Sequence, residues 1–211
     1  MADIATVATL ATAGGTLVLA VATFASVRSA NRAARTAERA LQAGLRPVLV
    51  SSRFQDPPEK IGWMDQHWAK VEGGRGYAVV ENGNVYLAIP LRNVGRGMAV
   101  LHGWAPVYEE PAPGQPHSNL ETFHRLSRDL YVPPADTGFW QGAVREADDP
   151  DFEPLVALIK EREPIRVDIL YGDHEGGQRT ISRFGMTPYE RDGGYIVSVG
   201  RHWNIDRPDP R

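Results

Sequence analysis

The chain has 211 residues, a net charge of −3 and no cysteine. Those figures exclude a disulfide framework, a thiolate zinc site and a cysteine nucleophile, and they leave room for one soluble domain of ordinary size. Arginine outnumbers lysine by 20 to three, a bias that points to a GC-rich, bacterial genome.

The first element is an uncharged run of 24 residues, Ile4–Val27, with no Pro, Asn, Gln or His. As a helix it spans roughly 36 Å, enough to cross a bilayer core of about 30 Å with some tilt. Two alternatives exist. A secretory signal carries basic residues ahead of its apolar core, whereas here Asp3 precedes it, although the small residues of 22–26 offer cleavage positions. A buried core helix is the other. We read residues 1–27 as a transmembrane anchor, single-pass in a bacterial plasma membrane, with the lipid bilayer as its first partner. Arg28, Arg32, Arg35, Arg39 and Arg46 follow the span against the single Glu38. Positive charge stays inside, so the C-terminal bulk is expected in the cytoplasm.

Residues 28–45 should continue as a basic juxtamembrane helix, because Ala, Arg, Glu, Gln and Leu dominate. Arg28, Arg32, Arg35 and Arg39 fall on one stripe. Ala30, Ala34, Ala37 and Leu41 fall on another, about 200° away. The arginines are candidates for contact with anionic lipid head groups, and the Ala/Leu stripe for contact with a partner helix. A solvated spacer is the alternative. Ala8, Ala11 and Gly15 add a small-residue face inside the span, so a homo-oligomer held through these helices is an option. Gly44 and Pro47 should end the helix.

Residues 46–211 form the soluble domain. Beyond Arg46 the chain holds 18 basic and 24 acidic residues, which argues against nucleic acid as a partner. Its punctuation is that of β-structure. Pro47–Phe54 opens it. Gly76–Glu81 and Val85–Arg92 flank Asn82-Gly83-Asn84, a hairpin signal. Pro90 in the second arm predicts an edge strand or a bulge. Met98–Tyr108, Phe139–Arg145, Ile165–Tyr171, Gln178–Arg183 and Tyr195–Gly200 complete about eight strands. Pro150–Glu163 reads as one short inserted helix, with Asp151 as its cap. Gln55–Arg75 and Glu109–Ser127 read as long loops. The fold class is therefore mainly β: an N-terminal transmembrane helix and juxtamembrane helix, then an antiparallel immunoglobulin-like β-sandwich with one short helix.

The segment Asn93-Val94-Gly95-Arg96-Gly97-Met98-Ala99 resembles the Asn-x-Gly-x-Gly-x-Ala turn of many bacterial immunoglobulin-like domains. With the N-terminal span and the hairpin at Tyr171–Asp173, the chain resembles bacterial single-span membrane proteins of uncharacterised activity that carry such a domain. In that group a Pro often precedes the Ala, where this chain has Met98. The resemblance implies a fold and no activity. Asn93, Gly95 and Gly97 are expected to be structural, with the glycines free to take positive φ.

No catalytic motif emerges. Six histidines form no His-x-x-x-His or His-x-His pair, and Asp173-His174-Glu175 reads as a solvated hairpin tip, so no metal is assigned. Asp148, Asp149 and Asp151 lack the calcium-loop spacing and suit a helix N-terminus. There is no Gly-x-Ser-x-Gly and no phosphate loop. Gly95-Arg96-Gly97 lies between strands, so no cofactor is assigned. Trp104 and Trp140 belong to predicted strands and to the core. Trp63, Met64, His67 and Trp68 lie in a long loop and are either a recognition surface or a cover over one end of the sandwich. We take them as the candidate partner-binding residues. The expected function is a membrane-tethered, non-enzymatic domain that binds a protein or peptide. The alternatives are a membrane-bound hydrolase whose site assembles only in three dimensions, and a secreted sandwich after signal cleavage.

Overall fold

The computed structural model describes residues 3–109, 116–191 and 193–208. The chain divides into two units, Met1–Gly44 and Leu45–Arg211. The first is one α-helix, α1 (Ile4–Gly44), of 41 residues. It passes unbroken through the small residues of 22–26 and through the arginine stripe. Within it, Thr12–Leu41 contains a stretch long and apolar enough to cross a membrane. Leu17, Val18, Leu19, Val21 and Phe24 are all exposed. A continuous apolar surface of this kind is stable in lipid or against another protein, not in water. The hydroxyls of Thr16 and Thr23 donate one turn back, to Thr12 O at 2.9 Å and Leu19 O at 2.8 Å, so both are satisfied within the helix itself. On the small-residue face, the side chains of Ala8 and Ala11 lie outside the described residues.

The second unit is mainly β. Its strands are β1 (Leu49–Ser51), β2 (Glu59–Gly62), β3 (Trp68–Val71), β4 (Arg75–Glu81), β5 (Asn84–Asn93), β6 (Ala99–Pro106), β7 (His124–Val132), β8 (Thr137–Val144), β9 (Ile165–Gly172), β10 (Arg179–Pro188) and β11 (Tyr195–Asn204). The inserted helix is α2 (Phe152–Lys160), within the expected range. Nine strands form one antiparallel sheet in the order β1-β5-β4-β11-β10-β9-β6-β7, with β8 on the other edge of β5. The eight expected strands are all present. The expected loops at Gln55–Arg75 and Glu109–Ser127 hold three more: the β2–β3 hairpin and the start of β7. Residues 110–115 of the second loop lie outside the described residues.

The sheet curls. β4 and β11 share only two residue pairs, Tyr195↔Gly76 and Ile196↔Arg75. Trp104 of β6 and Trp140 of β8, far apart in strand order, meet edge-on at 5.3 Å. The main core fills the curl with Leu87, Ile89, Leu91, Trp104, Trp140, Val167, Ile169 and Phe184. A smaller core lies on the opposite face of β5, where the β2–β3 hairpin covers Tyr86 and Ala88 with Ile61, Trp63 and Val71. β5 is thus buried on both faces, which is why its sequence is apolar at successive positions rather than alternately.

Three local expectations resolve differently from one another. The β4–β5 hairpin turns at Asn82 (φ 51°) and Gly83 (φ 77°), the two left-handed positions that a tight primed turn requires. Pro90 is neither at an edge nor in a bulge. It pairs with Phe139 of β8 in unbroken register. Its imide nitrogen points to the same side as its carbonyl, which accepts from Ser52 N–H at 3.1 Å. That point lies between Ala88, where pairing with β4 ends, and Leu91, where pairing with β1 begins, so the one donor that Pro90 lacks falls opposite Ser52, at the end of the β1 ladder.

In the Asn93–Ala99 turn the glycines do not hold the expected positive φ. They are required by close backbone approach instead. A Cβ on Gly95 would overlap the carbonyl oxygen of Arg46, and one on Gly97 the carbonyl oxygen of Leu45. Asn93 locks this approach. Its side-chain oxygen accepts from Val48 N–H (3.2 Å) and Gly95 N–H (2.9 Å), and its amide donates to Gly97 O (2.7 Å) and Val132 O (3.0 Å). Its backbone bonds Ala135 and Asp136 in the β7–β8 turn. One fully buried side chain therefore ties together the entry to β1, the β5–β6 turn and the end of β7.

Candidate functional site

The segment between β2 and β3 is not a loose loop. Trp63 N–H donates to His67 O at 2.9 Å, closing a turn in which Gln66 takes φ 65°. The Trp63 indole is 5% exposed and donates to Gly142 O at 3.0 Å. The His67 ring stacks on Tyr86 with centroids 4.0 Å apart, and its Nε2 meets the Tyr77 hydroxyl at 3.0 Å. Between them, Asp65 accepts from the Tyr86 hydroxyl (2.7 Å) and Arg145 Nε (2.9 Å). Burial pushes the Asp65 carboxyl up, but those two donors outweigh it and hold the group below the usual carboxylate range. Burial, and then the same carboxylate, push the Tyr86 hydroxyl up.

The four candidate binding residues therefore separate. Trp63 faces inward and belongs to the smaller core, and His67 is half-buried beside it, their polar atoms finding partners on β8 and β4. Met64 and Trp68 face outward, 73% and 61% exposed. Trp68 is positioned from below: a Cβ on Gly62 would stand 2.6 Å from its ring, and Lys60 Nζ lies 5.2 Å from its ring centroid. Large exposed apolar side chains on a rigid support are the usual anchors of a protein contact.

A cleft lies elsewhere, on β6 and β7. The β6 register slips between Leu101 and Gly103, leaving His102 as an extra residue. On the other side Leu101 pairs with Leu130 and Gly103 with Arg125, so Leu126–Asp129 of β7 have no partner on β6. The result is a groove of about 510 Å³ lined by His102, His124, Arg125, Asp129 and Arg179, with Leu120, Phe123 and Leu126. Burial, assisted by Arg179, pushes the His102 imidazole below its ordinary value. Sequence reasoning passed over this bulge. Its signal was the isolated Gly103, which breaks an otherwise apolar strand.

His124 lies at one wall of that groove, beside Asp149 and Asp151. Asp151 precedes α2 but makes no side-chain cap. Its carboxylate instead turns to His124 Nε2 (2.7 Å) and the Tyr108 hydroxyl (2.9 Å). Burial, and then Asp151, push the Tyr108 hydroxyl up.

Among the described residues one serine–histidine contact invites a nucleophilic reading. Ser182 Oγ does meet His202 Nδ1 at 2.5 Å, and also the Tyr171 hydroxyl at 2.9 Å. Ser182 is fully buried, so no substrate reaches it, and the pair is an internal bracket between β9, β10 and β11. The head-group candidates Arg28, Arg32, Arg35 and Arg39 all lie exposed on α1.

No protein-family model matches the chain. No curated protein matches it either. Among solved structures, one protein of Archaeoglobus fulgidus, described only as a crystal structure of a protein from that organism, is 14% identical, with a TM-score of 0.25 over 62% of this chain and 94% of its own.

Proposed function

We propose that this chain is a membrane-tethered, non-enzymatic β-domain that binds a protein or peptide partner through the face carrying Met64 and Trp68. The observation that carries the reading is the pairing of two exposed apolar side chains with a buried aromatic support. Trp63, His67, Tyr77 and Tyr86 fix the turn at little entropic cost to the bound state, since the exposed residues start from an ordered backbone. Support for the tether comes from the exposed apolar run of α1 and from the arginines that follow it. On the positive-inside argument the domain is cytoplasmic, in a bacterial plasma membrane, and Arg28, Arg32, Arg35 and Arg39 rest on anionic head groups. The buried Trp140 and the antiparallel curl are consistent with an immunoglobulin-like sandwich.

A photo-crosslinking phenylalanine analogue placed at Trp68 in the full-length, membrane-inserted protein tests the reading. It should yield a discrete adduct of defined size that weakens in the Met64→Asp background. The same analogue at Tyr131, exposed on β7, should not yield it. No adduct from position 68, or the same adduct from both positions, overturns the binding face.

A further inference from the structure

The cluster that joins the groove-wall residue His124 to Asp149 and Asp151 carries an inference independent of the partner-binding reading. His124 opens β7, and the chain returns 27 residues later to set Asp151 against it. His124 Nε2 lies 2.7 Å from Asp151 Oδ2, and its Nδ1 lies 3.7 Å from Asp149 Oδ2. One ligand atom from each residue lies within 4.8 Å of those from the other two. The side chains are 23%, 21% and 19% exposed for His124, Asp149 and Asp151, which leaves room for solvent on one side.

We propose that His124, Asp149 and Asp151 bind a divalent transition-metal ion of the Zn²⁺ or Mn²⁺ class. The donor set is one imidazole nitrogen and two carboxylates. Such a mixed set suits borderline ions, whereas Ca²⁺ and Mg²⁺ prefer oxygen alone. With the imidazole neutral the three groups carry a charge of −2, which the ion cancels. The ion would enter between His124 Nε2 and Asp151 Oδ2, which now face each other at 2.7 Å. Donors about 2.1 Å from a tetrahedral ion stand roughly 3.4 Å apart, so the His124–Asp151 pair opens by about 0.7 Å.

The supporting groups are already in place. The Trp104 ring stacks on His124 at 4.7 Å and fixes the plane of the imidazole. The Tyr108 hydroxyl donates to Asp151 Oδ1 at 2.9 Å, and Asp151 N–H donates to Asp149 Oδ1 at 2.9 Å. These bonds orient the carboxylates as outer partners do in metal sites. Three protein ligands leave positions for water or for a further ligand. His124 also lines the groove, so that ligand has a path of entry. The competing account is a plain ion pair that holds the loop before α2 against β7.

The test uses the full chain in detergent, stripped of metal with a chelator, then titrated calorimetrically with Zn²⁺ and separately with Mn²⁺. At least one ion should fill a single saturable site per chain. Asp151→Asn keeps the size and hydrogen bonding of the side chain and should weaken binding at least about tenfold. His174→Ala should leave it unchanged, because His174 belongs to an exposed pair with Glu175 in a different turn. If Asp151→Asn does not fold, the wild-type protein still decides: the ion that binds should shift (Zn²⁺) or broaden (Mn²⁺) the imidazole resonances of His124 before those of His102, His117 or His174. Absence of a saturable site for both ions, equal affinity in Asp151→Asn, or a first response at another histidine to the ion that binds overturns the proposal.

Discussion

Gly97→Val should cost the β-domain about 3 kcal/mol or more. The new Cβ would overlap the Leu45 carbonyl, which is backbone on backbone, so no rotamer relieves it. Either the Leu45–Val48 segment moves away or the β5–β6 turn does. Both routes break the set that Asn93 holds, where its oxygen accepts from Val48 and Gly95 and its amide donates to Gly97 and Val132. Each buried group left unpaired costs about 1–3 kcal/mol, and at least two are lost. Arg96→Ala, in the same turn, should change stability by less than about 0.5 kcal/mol, as surface substitutions usually do. Urea unfolding followed by tryptophan fluorescence reads the difference. Equal midpoints for Gly97→Val and the wild type would mean that the two backbones are not in contact.

Asp168→Ala has the second large expected effect, about 3–5 kcal/mol. Asp168 on β9 is fully buried and receives Arg183 of β10 through two parallel bonds, Nε at 2.7 Å and an outer nitrogen at 2.8 Å. Ser118 adds its N–H at 2.8 Å and its hydroxyl at 2.9 Å to the same carboxylate. Removing the carboxylate leaves the guanidinium without this counter-charge, against the Trp203 face 5.1 Å from it. The desolvation cost of the arginine then stands uncompensated. The double variant Asp168→Leu with Arg183→Met should recover most of the loss, because both charges leave together. A single variant as stable as the wild type would contradict the buried pair, and a double variant no better than the single would show that packing, not charge, sets the cost.

The long N-terminal helix, the primed hairpin and α2 were legible because each depends on local composition. An uncharged run of 24 residues, an Asn-Gly step and an apolar face behind Asp151 state their structures within a few turns of chain. The β2–β3 hairpin was not legible. Glu59–Gly62 and Trp68–Val71 are four residues each, and only Ile61, Ala69 and Val71 point inward along them. β7 hides its apolar positions among charges, with Leu126, Leu130 and Val132 separated by Arg128 and Asp129. Its inward face becomes visible only when β6 is beside it.

The candidate site was legible in part for the same reason. Four residues of one segment were identified, yet burial sorts them by direction, and direction depends on β4, β5 and β8 beneath. Trp63 goes inward because Gly142 O is there to accept its indole, and Trp68 goes outward over Gly62. The His124–Asp149–Asp151 cluster joins a strand to a distant helix start, a contact that no spacing encodes. Asp151 illustrates the limit: the residue type suits a helix cap, but His124 and Tyr108 offer its carboxylate stronger partners. The glycines of the β5–β6 turn were identified correctly for the wrong cause, since close approach and positive φ select the same residue.

The proposed tether would hold the β-domain on the cytoplasmic side of the membrane. A reporter that is active only outside the cytoplasmic membrane, fused to the C-terminus, measures this directly. The exposed apolar helix followed by Arg28, Arg32, Arg35 and Arg39 predicts a silent fusion that stays in the membrane fraction after alkaline wash. An active reporter, or a mature chain that begins near Ser26 and washes free, would contradict it.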